Sequence, residues 1–224
     1  MPARLDIQEK LSADAILPKR KTPRSPASEK LIAIGSSTGG TQVIESILAG
    51  LDRNIPGVVI VQHMPEAFTE SFALRLDSSS GLNVKQAQDG DKIEAGKVLI
   101  SPGDKHMIVE NRSGNLFVRI KEGPPVSRHR PSVDVLFRSV AQAVANQSLG
   151  IILTGMGDDG AIGMKEMFDS GAFTVAQDEE SCVVFGMPSV AIQQGGVKKV
   201  CSPPKISQLM KAFNQTEIFQ KLIK

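Results

Sequence analysis

The sequence predicts a doubly wound, mainly parallel α/β sheet flanked by helices, with an added antiparallel β-hairpin. Three observations lead there. From Lys30 onward, uninterrupted apolar runs such as 31–34, 58–61 and 98–100 alternate with segments whose apolar residues recur at helical spacing; continuous apolar strands belong to parallel sheets covered on both faces. Several of these runs lead through a glycine-rich turn straight into a helix-period segment, as βαβ units require. Between 106 and 120 the alternation breaks: Met107 to Val109 and Leu116 to Ile120 are separated by Asn111 to Asn115 with Gly114, which reads as an antiparallel hairpin.

Taken in order, the strand at Leu31 to Ile34 is followed by a helix over Thr41 to Leu51, with Val43, Ile44, Ile47, Leu48 and Leu51 on one stripe. Val58 to Val61 precedes a helix containing Phe68, Phe72, Leu74 and Leu76, and Val98 to Ile100 is the next strand. After the hairpin the pattern predicts a helix over 132–145, strands at 149–153 and 173–176, and a helix at 162–169 between them. A short helix after Pro188, a strand at Val197 to Val200 and helices near 204–213 and 217–223 close the chain. No repeat of solenoid length is visible.

Residues 1–29 differ in character. Pro18, Pro23 and Pro26 sit among Lys19, Arg20, Lys21 and Arg24, the composition of a solvated linker or tail. Ahead of them Leu5, Ile7, Leu11, Ala15 and Ile16 allow a short amphipathic helix. The expected organisation is a linker or tail over 1–29 and one α/β domain over 30–224.

Composition narrows the function. With 26 Lys and Arg against 24 Asp and Glu, the formal charge of +2 argues for no nucleic-acid partner. The absence of Trp and Tyr removes the usual base-stacking platforms. No apolar run is long enough for a signal peptide or a membrane span, so the chain reads as cytoplasmic and not membrane-inserted. Cys182 and Cys201 are the only cysteines, and His63, His106 and His129 are scattered, so neither a thiolate nor a histidine metal site is expected, nor any cofactor.

In an open parallel sheet the ligand site lies beyond the carboxyl ends of the strands. The first strand runs into Gly35-Ser36-Ser37-Thr38-Gly39-Gly40. That turn suits a serine nucleophile, an anion cradle at a helix N-terminus, or a plain tight turn, since all three need small residues. The second strand ends in Gln62-His63-Met64-Pro65, and a later one in Thr154-Gly155-Met156-Gly157-Asp158-Asp159-Gly160. Each alone has an ordinary reading, a structural histidine and a helix-capping aspartate. Together they bring Ser, His and Asp to one sheet edge, the components of a nucleophile, a base and the group that orients the base. Arg128-His129-Arg130-Pro131-Ser132 reads either as a basic turn capped by Ser132 or as a wall of the site that meets an acidic protein surface.

These motifs, with Ser101-Pro102-Gly103-Asp104-Lys105-His106-Met107 and Cys182-Val183-Val184-Phe185-Gly186-Met187-Pro188, resemble the catalytic domain of CheB-type chemotaxis protein-glutamate methylesterases. The resemblance covers roughly residues 30 to 212. It implies hydrolysis of methyl esters on glutamate side chains of methyl-accepting chemoreceptors, at their cytoplasmic helices, and deamidation of receptor glutamines. By position it implies Ser37 as nucleophile, His63 as base and Asp159, not Asp158, as the third member. Thr38 and Met156 match positions lining the family site, the backbone around Met156 and Gly157 is the expected oxyanion donor, and Arg128 and Arg130 are expected to meet the receptor. Members of the family usually carry an N-terminal phosphorylation-receiver domain, which 1–29 cannot hold. The expectation is therefore an excised catalytic domain with its linker or a free-standing form, with a receiver or another regulator acting in trans.

Overall fold

The computed structural model describes residues 10–20 and 27–223. Its elements are β1 (Leu31–Ser36), α1 (Gly40–Leu48), β2 (Gly57–Gln62), α2 (Glu66–Ser79), β3 (Asn83–Gln86), β4 (Lys97–Ile100), β5 (His106–Arg112) and β6 (Asn115–Lys121), followed by α3 (Val133–Ala143), β7 (Ser148–Ile152), α4 (Ala161–Asp169), β8 (Phe173–Gln177), α5 (Met187–Gln193), β9 (Lys199–Cys201), α6 (Pro203–Ala212) and α7 (Thr216–Ile223). Seven strands form one parallel sheet in the order β3-β4-β2-β1-β7-β8-β9, and β5 and β6 pair separately as an antiparallel hairpin.

Alternation along each central strand divides the core. Ile32, Ile34, Val58 and Ile60 pack with residues of α1, α2 and α6 on one face, while Leu31, Ala33, Val59 and Val61 pack with α3, α4 and α5 on the other. Both faces of β1 and β2 are buried, which is why these strands are apolar without a polar alternation. The hairpin does not extend the sheet. It covers the outer side of α3, so that every residue from Val133 to Val140 is buried and α3 lies between the sheet and a second layer.

The expected elements are present, with two differences of detail. β3 has no counterpart in the sequence reading because it is an edge strand of four residues in which only Val84 is buried, too little for an apolar signal. The last strand begins at Lys199 instead of Val197, because its parallel ladder with β8 begins only at the Val175–Lys199 pair.

In the N-terminal stretch, residues 1–9 and 21–26 lie outside the described residues, and with them part of the expected helix and of the basic run. Within 10–20 the chain makes one 3-10 turn over Ala13–Ala15, capped by Ser12, and not an α-helix. This segment packs on the domain: Ala13 and Ile16 are buried with Ile108, Val126 and Val135, and Asp14 and the Leu17 carbonyl receive the guanidinium of Arg138.

At Gly35, near the end of β1, α3 approaches the sheet closely. A Cβ there would lie 2.2 Å from Val133 Cγ1 and 3.1 Å from Phe137 Cζ, both in buried positions that have nowhere to move. Gly35→Ala is expected to cost about 1–3 kcal/mol by overpacking. Gly50→Ala, whose nearest contact is Ser207 Oγ at 3.6 Å, should stay within about 0.5 kcal/mol. Urea denaturation of the two variants checks this, and equal costs would contradict the tight approach of α3.

Candidate active site

β1 is flanked by β2 on one side and β7 on the other, and the chain reaches β7 only after leaving the sheet for the hairpin and α3. The strand order therefore reverses at β1, and the crevice beyond its carboxyl end is the place where doubly wound sheets bind ligands. Ser37, His63 and the 153–160 turn follow β1, β2 and β7 into this crevice. Ser36 pairs with Gln62 in the parallel register, so Ser37 and His63 leave adjacent strands side by side, at the ~4.8 Å spacing of a sheet. The His63 N–H donates to the Ser36 carbonyl at 3.0 Å, and the Ser37 N–H to the Thr154 carbonyl at 3.0 Å, which ties all three strand ends together.

The left-handed residue of the first turn is Gly39 (φ 82°), two places beyond the serine, and the Gly40 N–H closes the turn on the Ser37 carbonyl at 2.9 Å. The positive φ that a strand-to-helix turn demands thus falls on a glycine, and Ser37 itself is unstrained. Gln62, buried at the end of an otherwise apolar strand, accepts from Ser36 Oγ at 2.7 Å and donates to the carbonyls of Ser37 at 2.9 Å and His63 at 3.1 Å. Sequence reasoning assigned it nothing, although a polar residue ending a buried apolar run was the visible signal.

His63 Nε2 lies 2.8 Å from Asp159 Oδ2. Since a carboxylate only accepts, Nε2 carries the proton and Nδ1 keeps its lone pair. That Nδ1 is buried and has no hydrogen-bond partner among the described residues. The imidazole therefore presents an unoccupied basic nitrogen, held in one tautomer by the carboxylate. The Ser37 hydroxyl likewise makes no hydrogen bond to another described residue, a looseness common before substrate binds.

Asp159 is fully buried, and its charge is held by the start of α3. Oδ1 accepts from Ser132 Oγ at 2.8 Å and the Asp134 N–H at 3.0 Å, and Oδ2 from the Val133 N–H at 2.8 Å in addition to His63. Burial raises its pKa, but the interaction with His63 and the amides of Asp134 and Val133 outweigh it and hold the carboxyl below its ordinary value. Asp159 does cap a helix, but α3 and not α4, the helix that follows it in sequence with Gly160 as its N-cap.

Asp134, the second residue of α3, is the second buried carboxyl. Its Oδ1 accepts from the Gly163 N–H at 2.8 Å and its Oδ2 from Ser127 Oγ at 2.9 Å. Burial, then the negative charge of Asp159, push its pKa up to about 7. Of two carboxyls at one helix start, one is ionised and the other is held close to neutrality.

His129 stacks face to face on His63, with ring centroids 3.8 Å apart and planes within 5°. His106 is buried, accepting from the Ser132 N–H on Nδ1 at 3.2 Å and donating from Nε2 to the Pro124 carbonyl at 3.0 Å, and burial lowers its pKa. Ligand atoms of His63, His129 and Asp159 lie within 4.8 Å of one another. A metal bound by both imidazoles would have to lie in both ring planes, and these are parallel and stacked, so the set does not fit a tetrahedral ion.

Met156 is 72% exposed and Gly157, with φ 90°, follows it at the rim. A Cβ on Gly155 would meet Ser37 Cβ at 2.7 Å, which places this turn against the serine. The N–H groups of Thr38, Gly39, Met156 and Gly157 have no acceptor among the described residues. Arg128 is exposed and pairs with Asp158 at 3.1 Å. Arg130 is already engaged, donating from Nε to Asp104 at 2.8 Å and from Nη1 to the Gly123 carbonyl at 2.8 Å. Both cysteines are free thiols, Cys201 buried and Cys182 half-buried with its pKa pushed up to about 11 by burial.

A doubly wound sheet with a serine, a buried His–Asp pair and unpartnered amides at its switch point has the layout of a serine-type hydrolase. The chain belongs to the CheB methylesterase family, whose model matches residues 32–210. It is 53% identical over 208 residues to "Protein-glutamate methylesterase/protein-glutamine glutaminase 1" of Photobacterium profundum, covering 93% of this chain and 59% of that one. It is 57% identical over 197 residues to "Protein-glutamate methylesterase/protein-glutamine glutaminase 2" of Chromobacterium violaceum, covering 88% and 55%. The chain thus spans little more than half the length of these relatives. The crystal structure of the Thermotoga maritima CheB methylesterase catalytic domain aligns with a TM-score of 0.79 at 38% identity, over 88% of this chain and 98% of that one.

The proton on Asp134 has a measurable consequence. Its ordinary value is 3.8 and its folded value about 7, so over that window the folded chain holds a proton that the unfolded chain has released. The stability it contributes is complete below about pH 4 and is lost as pH rises through about 7. Asp134→Asn keeps the acceptor for Gly163 and a polar partner for Ser127 but has nothing to titrate. Urea midpoints of parent and variant should therefore shift relative to each other in the variant's favour between about pH 4.5 and about pH 8. A difference that stays constant across this range would show that Asp134 is ionised throughout.

Proposed function

We propose that this chain is a protein-glutamate methylesterase that also deamidates protein glutamines, acting on the cytoplasmic helices of methyl-accepting chemoreceptors through Ser37, His63 and Asp159. The observation that carries the reading is the His63 ring: its Nε2–H is committed to a buried carboxylate while its Nδ1 is free beside the strand end that carries Ser37. Family membership and the names of the relatives support the reaction class.

As Ser37 Oγ attacks the side-chain carbonyl carbon of a methylated glutamate, its proton passes to His63 Nδ1. Asp159 holds the resulting imidazolium. The carbonyl oxygen becomes an oxyanion, and the amides of Thr38, Gly39, Met156 and Gly157 are the unengaged donors available to it. Collapse of the intermediate breaks the bond to the methoxy group, which leaves as methanol with the proton returned by His63. Water, activated by the same nitrogen, then hydrolyses the acyl-serine and frees the glutamate. With glutamine the leaving group is ammonia.

The exposed apolar side chains of Met156 and Val183 border the serine turn, and suit the methylene and methyl groups of a glutamyl ester projecting from a helix. Arg128 is the exposed cation of this rim. Arg130 is less free, because meeting a receptor means giving up Asp104. The receptor contact of both, and a receiver domain or regulator acting in trans, belong to this proposal. Among the described residues no helix is long and apolar enough to cross a membrane.

Methanol release from a methylated chemoreceptor cytoplasmic fragment tests the reading. The parent chain should release methanol, and Ser37→Ala should lose about 10⁴–10⁶ in rate, the range that loss of a triad member spans. Turnover by Ser37→Ala near that of the parent would sink the assignment.

A further inference from the structure

The stacked histidine is not used in the reaction above, and it sits on the ring that the reaction depends on. We propose that His129 is a positioning residue for the base: its neutral ring, anchored on the Ser127 carbonyl and stacked on His63, holds the His63 ring in the plane that joins Nε2 to Asp159 and leaves Nδ1 free for the serine proton. This rests on the methylesterase reading and deepens it.

The Cβ attachment and one hydrogen bond at Nε2 leave the His63 ring able to tilt about the line that joins them. The second constraint on His63 is the parallel face of His129 at 3.8 Å. His129 is itself pinned at its edge, with Nδ1–H donating to the Ser127 carbonyl at 2.8 Å. The same Nδ1 is 3.9 Å from Asp159 Oδ2, too far to replace His63 as its partner.

The loop that presents His129 is built to hold one geometry. Ser127 and Arg128 are non-glycine residues in the left-handed region, at φ 48° and 69°, a conformation that persists only where the surroundings over-determine it. Here they do. Val126 and His129 exchange backbone hydrogen bonds at 3.0 and 2.9 Å, the Ser127 N–H donates to the Leu11 carbonyl at 2.9 Å, and Ser127 Oγ donates to Asp134. Arg128 is anchored to Asp158, next to Asp159.

Charge favours the arrangement as well as shape. The groups facing His129 are His63, Asp159 and Arg128, and burial, followed by His63, lowers its pKa. A neutral ring offers its π face to the imidazolium that forms on His63, whereas a second cation would repel it.

Three variants of the full chain test this: His129→Ala, His129→Leu and His129→Phe, with Ser37→Ala as the inactive reference. Ring misplacement should lower kcat for methanol release by about 100-fold in His129→Ala, with KM changed by no more than about twofold because no contact to substrate is lost. His129→Phe keeps the stacking face and should recover to within about tenfold of the parent. His129→Leu fills the space without a ring face and should remain near His129→Ala. Nitrogen NMR of the folded chains provides a readout independent of turnover: His63 should be a single Nε2–H tautomer in the parent and in His129→Phe, and a mixture in the other two. Equal activity of the Leu and Phe variants, or an unchanged His63 tautomer in His129→Ala, would overturn the proposal. If the parent releases no methanol, the methylesterase reading fails and the nitrogen resonances still decide the positioning role. If His129→Ala does not fold, the Leu and Phe pair carries the comparison.

Discussion

A buried, ionised carboxylate is the constraint around which this molecule is arranged. Asp159 has no access to water, so its charge must be met by donors within the fold. Two of these are the first free amides of α3, a third is the hydroxyl of the residue before it, and the fourth is His63. Orphan amides at a helix start and a lone carboxylate satisfy each other. For this to happen α3 must begin directly over the crevice, and the small residues around it follow from that demand. Gly35 lets Val133 and Phe137 approach β1, and Gly160, at φ 94°, lets the chain turn away beneath Val133.

The same demand explains the second layer. A helix whose start is fixed over the sheet edge and whose residues from Val133 to Val140 are all buried needs cover on its outer side, and the β5–β6 hairpin supplies it. Residues 10–18 extend that cover. They bury Ala13 and Ile16 against hairpin and helix, take the Arg138 guanidinium on Asp14 and Leu17, and place Lys10 in an ion pair with Asp158. Arg138 is nearly inaccessible and also makes two hydrogen bonds to Glu166, at 2.9 and 2.8 Å. Removing one partner of such a buried pair leaves an uncompensated charge, which is costlier than losing any exposed ion pair on the surface. The segment ahead of the first strand is thus packed into the polar network that supports the site.

Much of this was legible in the sequence, for physical reasons that also mark the limit. Parallel strands covered on both faces must be apolar throughout, so β1, β2, β4, β7 and β8 announce themselves, while edge strand β3, with one buried side chain, does not. Glycine-rich turns at strand ends locate the crevice because only small residues allow the close approaches seen at Gly35, Gly39 and Gly155. What the residue pattern cannot carry is which helix a carboxylate caps. Asp159 stands directly before α4 in sequence, yet it meets α3, whose first residue is 26 positions earlier, as the separation of its bond to Val133 records. The pairing of Asp134 with Asp159, the stack of His129 on His63 and the bridging role of Gln62 are likewise products of the tertiary arrangement.

The electrostatic logic of the site depends on keeping its two carboxyls different. Asp159 gathers amide, hydroxyl and imidazole donors, while Asp134, with the Gly163 amide and the Ser127 hydroxyl, faces a charge already in place. Were both ionised, their repulsion would act at the helix start that stabilises Asp159. Were both neutral, His63 would lose the partner that selects its tautomer. Below about pH 7 the asymmetric state avoids both costs and leaves a single negative charge directed at Nε2. His63, the base of the proposed reaction, therefore has its proton on Nε2 and, in the neutral ring, a lone pair on Nδ1 before any substrate arrives. Preorganisation of this kind removes from the reaction the work of orienting the groups that move the proton.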